Sequence, residues 1–388
     1  MRFNLIPVAL IAMGLAVGCG GGGSSNPPTP IGTLTLQLGS DSIPGYAQTW
    51  VSIEKVEGSF DGSSWISLGS VQKSVDLMAL QNGHATVILP ATKVMAGTYA
   101  QFRLTWATKN YAPLAAGMPP VPAAYGIPNG APGVNLTMPA SMTTVVKGSV
   151  PVAANGSTVA QLMFSGQQAV QTRPGLTSIY TFQATGTAYD VSTSAKITGH
   201  LGDGTTNLNG AEVFAETVDG LDVATVQRRA VTDNLGNYTL EGLPAGTGTT
   251  YYVVSQPVSA SAAYDAKAQK VITATPASYS ADFTFSSPAV PGALTLTITV
   301  PSAANQVTWG ELRRTLTTAP AESHNLIVQS QPAASATSQD QVYFTLLTPN
   351  SYGVTAQRST DGGAPVMKVG STLAVTSNSI TPATLSYP

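Results

Sequence analysis

Charge is scarce in this chain. Only 9% of its 388 residues are Asp, Glu, Lys or Arg, against about 25% in ordinary soluble proteins. The net charge is −2, and the densest basic clusters are the pairs Arg228-Arg229 and Arg313-Arg314. Nucleic acid needs a basic footprint, so it is excluded as a partner. Cys19 is the one cysteine, which excludes an intramolecular disulfide. His84, His200 and His324 are the only histidines and lie far apart in sequence. No His-Glu-x-x-His, paired-cysteine, Gly-x-Ser-x-Gly or phosphate-loop pattern occurs. No catalytic residue, metal ligand or cofactor is therefore assigned. Beyond Val17 no apolar run is long enough to span a bilayer. Amphipathic helical periodicity is missing as well; Val75 to Leu80 has room for one turn.

What is present begins with Arg2 and an apolar run from Leu5 to Val17, broken by Pro7 and Gly14. A helix of that length falls short of a hydrocarbon core of about 30 Å. Residues 1–18 are thus expected to be a signal peptide removed from the mature chain. Ala16-Val17-Gly18-Cys19 resembles the bacterial lipobox, with small Gly18 before the cysteine and Leu15 one step upstream of the usual leucine position. The resemblance implies diacylglyceryl transfer to the Cys19 thiol and cleavage before it. Gly20 is not the aspartate tied to inner-membrane retention, so the same resemblance implies an outer-membrane destination. Two or three acyl chains, at about 0.8 kcal/mol per buried CH₂, make a stable anchor. The membrane is then a partner through lipid. The alternative is an ordinary secretory signal with a leftover thiol. Residues 19–31 read as a tether, flexible through Gly20 to Ser25 and stiffened by Pro27, Pro28 and Pro30.

Period-2 alternation dominates the rest. Leu34, Leu36 and Leu38 alternate with threonines and Gln37; Ala100, Phe102, Leu104 and Trp106 alternate with Tyr99, Gln101, Arg103 and Thr105. Leu294, Leu296, Ile298 and Val300 repeat the pattern, as do Val342, Phe344 and Leu346. Each set predicts a half-buried strand, and β-branched threonine suits the outer face. Turn signals separate the strands, among them Asp61-Gly62, Asn82-Gly83, Asn129-Gly130, Asn155-Gly156, Asp203-Gly204, Asn209-Gly210 and Asp361-Gly362. The predicted fold class is all-β. It comprises tandem antiparallel β-sandwich domains, immunoglobulin-like or transthyretin-like, after the signal peptide and flexible linker.

Composition predicts units over residues 32–191, 193–286 and 293–388, with Ser287-Pro288-Ala289-Val290-Pro291-Gly292 as a linker. Tyr111 to Gly133, dense in Pro, Ala and Gly, reads as a long loop of the kind that is often functional. The N-terminal unit resembles the bacterial domain-of-unknown-function family numbered 4382, through Gly32-Thr33-Leu34-Thr35-Leu36, Trp65-Ile66-Ser67-Leu68, Val75-Asp76-Leu77 and Ala96 to Leu104. It lacks the aspartates that family often carries near Leu162 to Ser165, and the family brings no established activity. The middle unit resembles the carboxypeptidase regulatory-like, transthyretin-like sandwich. The matching stretches are Ile197-Thr198-Gly199, Leu208 to Val213, Val231 to Leu240 and Gly242 to Gly246 before Tyr251-Tyr252-Val253-Val254. That resemblance implies a spacer or binding fold on a surface protein, with glycan binding among the options. In it, Asp233 to Asn237 is a hairpin turn and Gly236 is expected at positive φ. The C-terminal unit resembles no named family.

Two groups of residues carry candidate chemistry. Trp50, Trp65, Tyr111 and Tyr125 are possible ligand-binding aromatics at strand ends or in loops, able to stack on a sugar ring or dock a partner; core packing is the alternative. Trp106 continues an inward face and is expected in the core. Lys196, with Asp282 and Glu212 or Glu241, occupies places suited to an internal amide bond, against the plainer reading of an exposed lysine. Glu54 and Glu57 fall on opposite faces by parity, which disqualifies them as an acid/base pair. The functional expectation is a non-enzymatic, cell-envelope lipoprotein, lipid-anchored through Cys19, with a structural, adhesive or surface-display role. Its partner would be an envelope protein or a glycan. A carbohydrate-binding surface protein is the first alternative and a hydrolase with a dispersed active site the second.

Overall fold

The computed structural model describes residues 29–43, 45–111, 124–130, 132–166, 169–173, 176–246, 248–259, 262–286, 288–300, 306–318, 321–335, 339–360 and 365–387. They are built almost wholly of strands. Alternation shows why: Leu34, Leu36 and Leu38 are all fully buried in Ile31–Ser40, between half-exposed neighbours. Burying each such side chain stabilises by about 1.5–3 kcal/mol.

In the N-terminal unit one sheet does the work of two. Its strands lie in the order Thr86–Met95, Ile31–Ser40, Ser157–Ser165, Thr185–Asp190, Thr143–Val152, Gly97–Trp106, Tyr46–Ser59, with Ile66–Asp76 on the far side of Tyr46–Ser59. The sheet curls until its two outer strands meet. There Lys73 Nζ donates to Thr86 Oγ1 (2.6 Å) and to the Val87 carbonyl (3.0 Å). The enclosed core holds Leu36, Val56, Phe102, Leu104, Trp106 and Phe164. Antiparallel pairs dominate, yet Ile31–Ser40 runs parallel to Ser157–Ser165, and Thr143–Val152 parallel to Thr185–Asp190. A helical turn comes where one was expected, as a 3₁₀ turn at Leu77–Leu80 capped by the Asp76 carboxylate, which accepts from Met78 N, and another 3₁₀ turn at Val191–Thr193 is capped in the same way by Asp190.

The middle unit is a sandwich. Asn237–Pro244, Ser194–Gly202, Ser278–Ser280 and Phe283–Thr284 form one sheet; Ala224–Val231, Glu212–Val218, Thr249–Ser255 and Lys267–Thr273 form the other. Ile197, Leu240, Val213, Tyr251, Val253 and Phe283 interdigitate between them. The Asp233 to Asn237 turn is as expected: Asp233 accepts from Leu235 N and Asn237 N (2.9 and 2.8 Å), and Gly236 has φ +77°.

The C-terminal unit stacks Ala334–Ser335, Gln339–Leu347, Gly292–Thr299 and Ile380–Ser386 on Val366–Val375, Asn350–Thr360, Gln306–Thr317 and Ser323–Pro332. The units are not beads on a string. Tyr252, Val254, Ala224 and Ala266 of the middle unit share one core with Leu326 and Val328 of Ser323–Pro332. The middle unit's second sheet is therefore buried on both faces. A backbone bridge from Thr172 to Gln306 joins the N-terminal sheet to the C-terminal one.

Inward–outward parity breaks at three irregular places. A bulge between Ile53 and Lys55 puts Glu54 and Lys55 on the same outer face. Another between Tyr99 and Gln101 turns Tyr99 into the core, fully buried, instead of Ala100. Leu346 has φ +56°, and Leu347 replaces it inside. An extra residue flips the side-chain period of two.

Candidate binding surfaces

Tyr46–Ser59 is the backbone of the first candidate surface. Thr49, Val51, Ile53 and Val56 point into the core, which forces Trp50, Glu54, Lys55 and Glu57 outward. Arg103 stands directly opposite Glu57 on Gly97–Trp106, and its Nε donates to Glu57 Oε2 at 2.8 Å. Lys55 reaches Glu57 Oε1 at 3.3 Å. The Arg103 guanidinium also lies over the Trp65 ring, 4.3 Å from its centroid. The Arg103 hydrogen bond holds the Glu57 carboxyl below its ordinary range. Further along, the Tyr111 hydroxyl donates to Glu54 Oε2, which raises the phenol above its ordinary value. Tyr111 N donates to Ser74 Oγ, while Lys109 sits over the Tyr111 ring at 5.1 Å. At the far end Trp50 is directly opposite Tyr125 of Ala124–Pro128. The Trp50 indole N–H donates to Gln48 Oε1. A Cβ on Gly133 would fall 1.6 Å from the Tyr125 hydroxyl, so that ring rests on the glycine.

The four aromatics singled out from sequence thus lie along the outside of one strand. From Trp50 to Glu57 that strip spans about 23 Å at 3.3 Å per residue. All four are half-buried. Trp65 and Tyr111 each have a cation on the ring, and among the described residues Trp50 and Tyr125 are the pair in the strip without one. Glu54 and Glu57 share the outer face, contrary to simple parity, because of the bulge after Ile53. They are not an acid/base pair for a different reason, since each is engaged separately, with Tyr111 and with Arg103.

Sequence reasoning missed the second surface, a cleft of about 340 Å³ where the three units meet. Asp41, just past Ile31–Ser40, comes from the N-terminal unit. Arg228 and Arg229 come from Ala224–Val231, and Trp309 and Glu311 from Gln306–Thr317. Arg228 donates to Glu241 O, Gln227 O, Thr187 Oγ1 and Gly242 O (2.7–3.0 Å). Arg229 pairs with Glu212 and donates to Ser330 O. Glu311 accepts from Trp309 Nε1 (3.1 Å), Gln357 Nε2 (2.5 Å), Arg313 (3.0 Å) and Thr355 Oγ1 (3.1 Å). Burial drives the Asp41 carboxyl up to about 6, against the pull of Arg228 and Arg229. Burial likewise lowers Arg229 to about 10 and raises Glu216, which accepts from Ile327 N across the same junction. The signal for this junction was present. Tyr251-Tyr252-Val253-Val254 and Leu326-Ile327-Val328 are unbroken apolar runs, the mark of strands covered on both faces.

The histidines stay apart. His84 lies near Glu241, His200 bonds Asn207 Oδ1, and His324 bridges Asp222 (2.7 Å) and Tyr252 (2.9 Å) at the seam of the middle and C-terminal units. Among the described residues no serine or threonine hydroxyl bonds a histidine, no cluster of His, Cys, Asp and Glu is set to hold a metal, and no helix is long and apolar enough to cross a membrane. Lys196 and Asp282 are not brought together. Lys196 is exposed opposite Ser278, while Asp282 accepts from His200 N, four residues or about 13 Å along the strand. Glu212 is engaged by Arg229 instead. Cys19, the signal segment and residues 112–123 of the long loop lie outside the described residues.

No curated protein matches the chain. Among solved structures it is similar to a streptococcal ancillary pilin, at 10% identity and TM-score 0.22, covering 92% of this chain and 99% of that one. A DUF3823 family protein from Bacteroides ovatus is 11% identical, with TM-score 0.18, covering 48% and 98%. The minor pilin of Streptococcus agalactiae is 12% identical, with TM-score 0.18, covering 50% and 95%. Likenesses that remote assign no role. The sequence family is more definite over part of the chain: residues 31–181 match the family described as Domain of unknown function (DUF4382).

Proposed function

We propose that this is a non-enzymatic cell-envelope lipoprotein, held by lipid on Cys19, with a structural, adhesive or surface-display role. The observation that carries the reading is the placement of Ile31–Ser40. This strand directly follows the Gly/Ser/Pro tether and is hydrogen-bonded on both edges, antiparallel to Thr86–Met95 and parallel to Ser157–Ser165. Tension arriving from an anchor would load both ladders in shear, so many bonds must fail together. A free edge strand would instead peel one bond at a time. Buried contacts between units support the same reading, because they brace the units against one another at the end of the tether. The carboxypeptidase regulatory-like resemblance of the middle unit accords with a surface spacer.

The test is metabolic labelling with a radiolabelled fatty acid, followed by envelope fractionation. Label in the wild type, with loss of both label and membrane retention in Cys19→Ser, is the expected result. An unlabelled wild type that fractionates like the serine variant would overturn the proposal.

A second reading, a carbohydrate-binding surface, is favoured by one observation, the exterior pair Trp50 and Tyr125. A glycan array probed with wild type and Trp50→Ala tests it, and equal binding by both proteins would remove it.

A further inference from the structure

We infer that the open groove between the middle and C-terminal units is a binding site for a small monocarboxylate, received by the Arg314 guanidinium. Lys267–Thr273 and Phe283–Thr284 line the groove on the middle-unit side, and the end of Gln306–Thr317 lines it on the other. Its volume is about 510 Å³, inside the range of about 300–1,000 Å³ for small-molecule sites. Side chains that reach across the open edge of the middle sandwich fix the first wall. Lys267 Nζ donates to the Thr284 carbonyl, and Gln269 Nε2 to the Asp282 carbonyl. Thr315 and Thr317 stand exposed on the other wall, and Phe283 and Leu316 supply buried apolar lining.

Arg314 selects the ligand. Its side chain is 9% exposed, and its guanidinium carbon lies 5.6 Å from the centroid of the Tyr352 ring. Among the described residues Nη1 alone is engaged, donating to Asp265 Oδ1, and Nε and Nη2 meet no acceptor. Neither nitrogen is sealed from solvent as Asp41 Oδ1 and Glu216 Oε1 are. Nε and Nη2 form one edge of the planar guanidinium, with two parallel N–H groups set to meet the two oxygens of a carboxylate. A charged donor pair withdrawn this far from water calls for an acceptor. The surrounding charges narrow the class further. Asp265 already balances Arg314, and Asp282 spends its carboxylate on His200 N and Ser280 Oγ. Lys267, bonded to a carbonyl, is the cation left to balance a single negative charge. A second negative charge, as on phosphate, would meet Asp265 and Asp282. A cation would meet Lys267 and the N–H edge of Arg314. A lone hydroxyl would fill one donor of the two.

The experiment is isothermal titration of the full chain in detergent with acetate, D-galacturonate and N-acetylglycine, and with inorganic phosphate as the contrasting anion, all at one ionic strength. Acetate is the bare group; the other two acids separate an acid sugar from the end of a peptide. Two variants accompany the wild type. Arg314→Lys keeps the charge beside Asp265 and removes the paired N–H edge; Thr315→Trp fills the groove from its exposed side and leaves Arg314 in place. Circular dichroism establishes that each is folded, and Thr315→Trp decides alone if the lysine variant is not. The expected result is saturable binding of a carboxylate at millimolar concentration, tighter than that of phosphate. Arg314→Lys weakens it about tenfold, the loss of one charge-assisted hydrogen bond, and Thr315→Trp abolishes it. The tighter of galacturonate and N-acetylglycine names the source of the group; if neither exceeds acetate, the carboxylate alone is what the site recognises. Absence of saturable carboxylate binding in the wild type overturns the proposal. So does phosphate binding of equal or greater affinity, and so does carboxylate binding that either folded variant leaves unchanged.

Discussion

Replacing Asp41 by asparagine should stabilise the protein at neutral pH and leave it unchanged in acid. The carboxyl is buried at the junction, and desolvation raises it from the ordinary 3.8 to about 6. A group raised on folding binds its proton more tightly in the folded state. Its stabilising contribution is therefore complete below about pH 4 and lost as pH climbs through about 6. The gap between 3.8 and about 6 is worth about 3 kcal/mol. Asparagine keeps an oxygen for the Arg229 backbone amide, which faces Asp41, and never has to ionise. The expected difference between variant and wild type is thus near zero at pH 4, rises between pH 4 and 6, and levels off at up to about 3 kcal/mol in favour of the variant. Urea unfolding at four pH values, for both proteins at equal ionic strength, measures it. A difference that stays constant across the range would refute the reasoning, and a variant less stable at pH 7 would mean that the ionised carboxylate is net favourable where it lies.

Other perturbations test the remaining framework. Arg313→Met strips the partner from Glu311 at a pair whose side chains are 6% and 4% exposed, and should cost about 3–5 kcal/mol in denaturant unfolding. Adding Glu311→Gln should recover most of that loss, because the uncompensated charge is gone. Gly236→Ala places a Cβ 2.4 Å from the Leu201 carbonyl at φ +77°, and should lower stability by at least about 1 kcal/mol in a thermal melt. Tyr252→Phe removes the hydroxyl that links His324 (2.9 Å) and Glu322 (3.0 Å). It should cost about 1 kcal/mol and speed amide exchange in Ser323–Pro332 before the N-terminal core responds.

Much of the architecture was legible because side-chain alternation reports burial directly. Leu34, Leu36 and Leu38, Trp106, the Leu294 to Val300 strand and the Asp233 turn all come from local pattern. Bulges escaped it. Nothing in Glu54-Lys55 or Leu346 announces an extra residue, and each one inverts the face of the side chains after it. Strand direction escaped as well. A half-buried strand reads the same whether its neighbour is parallel or antiparallel, so the pairing of Ile31–Ser40 with Ser157–Ser165 was open until the chain was folded. The exterior aromatics were nameable one by one, but Trp50 meets Tyr125, and Tyr111 meets Glu54, only through ladders between distant segments.

The junction has a deeper lesson about scarce charge. With so few ionisable residues in the chain, each one that is buried costs more than it would in a crowded surface network, and yet several of them gather here. Arg228-Arg229 and Arg313-Arg314 look like small basic clusters in the sequence, but the guanidiniums of Arg229, Arg313 and Arg314 turn inward to carbonyls and a carboxylate of neighbouring units, and Arg228 bonds carbonyls of its own unit and Thr187 Oγ1 of the N-terminal one. Apolar contact alone would let one sheet slide on another. Directional bonds such as Arg229 to Ser330 O, Arg313 to Ala224 O and Ile327 N to Glu216 allow one register only. The same bonds fill most polar atoms at the meeting point, and the buried oxygens they leave over among the described residues, Asp41 Oδ1 and Glu216 Oε1, mark where directional matching between the units gives way to packing.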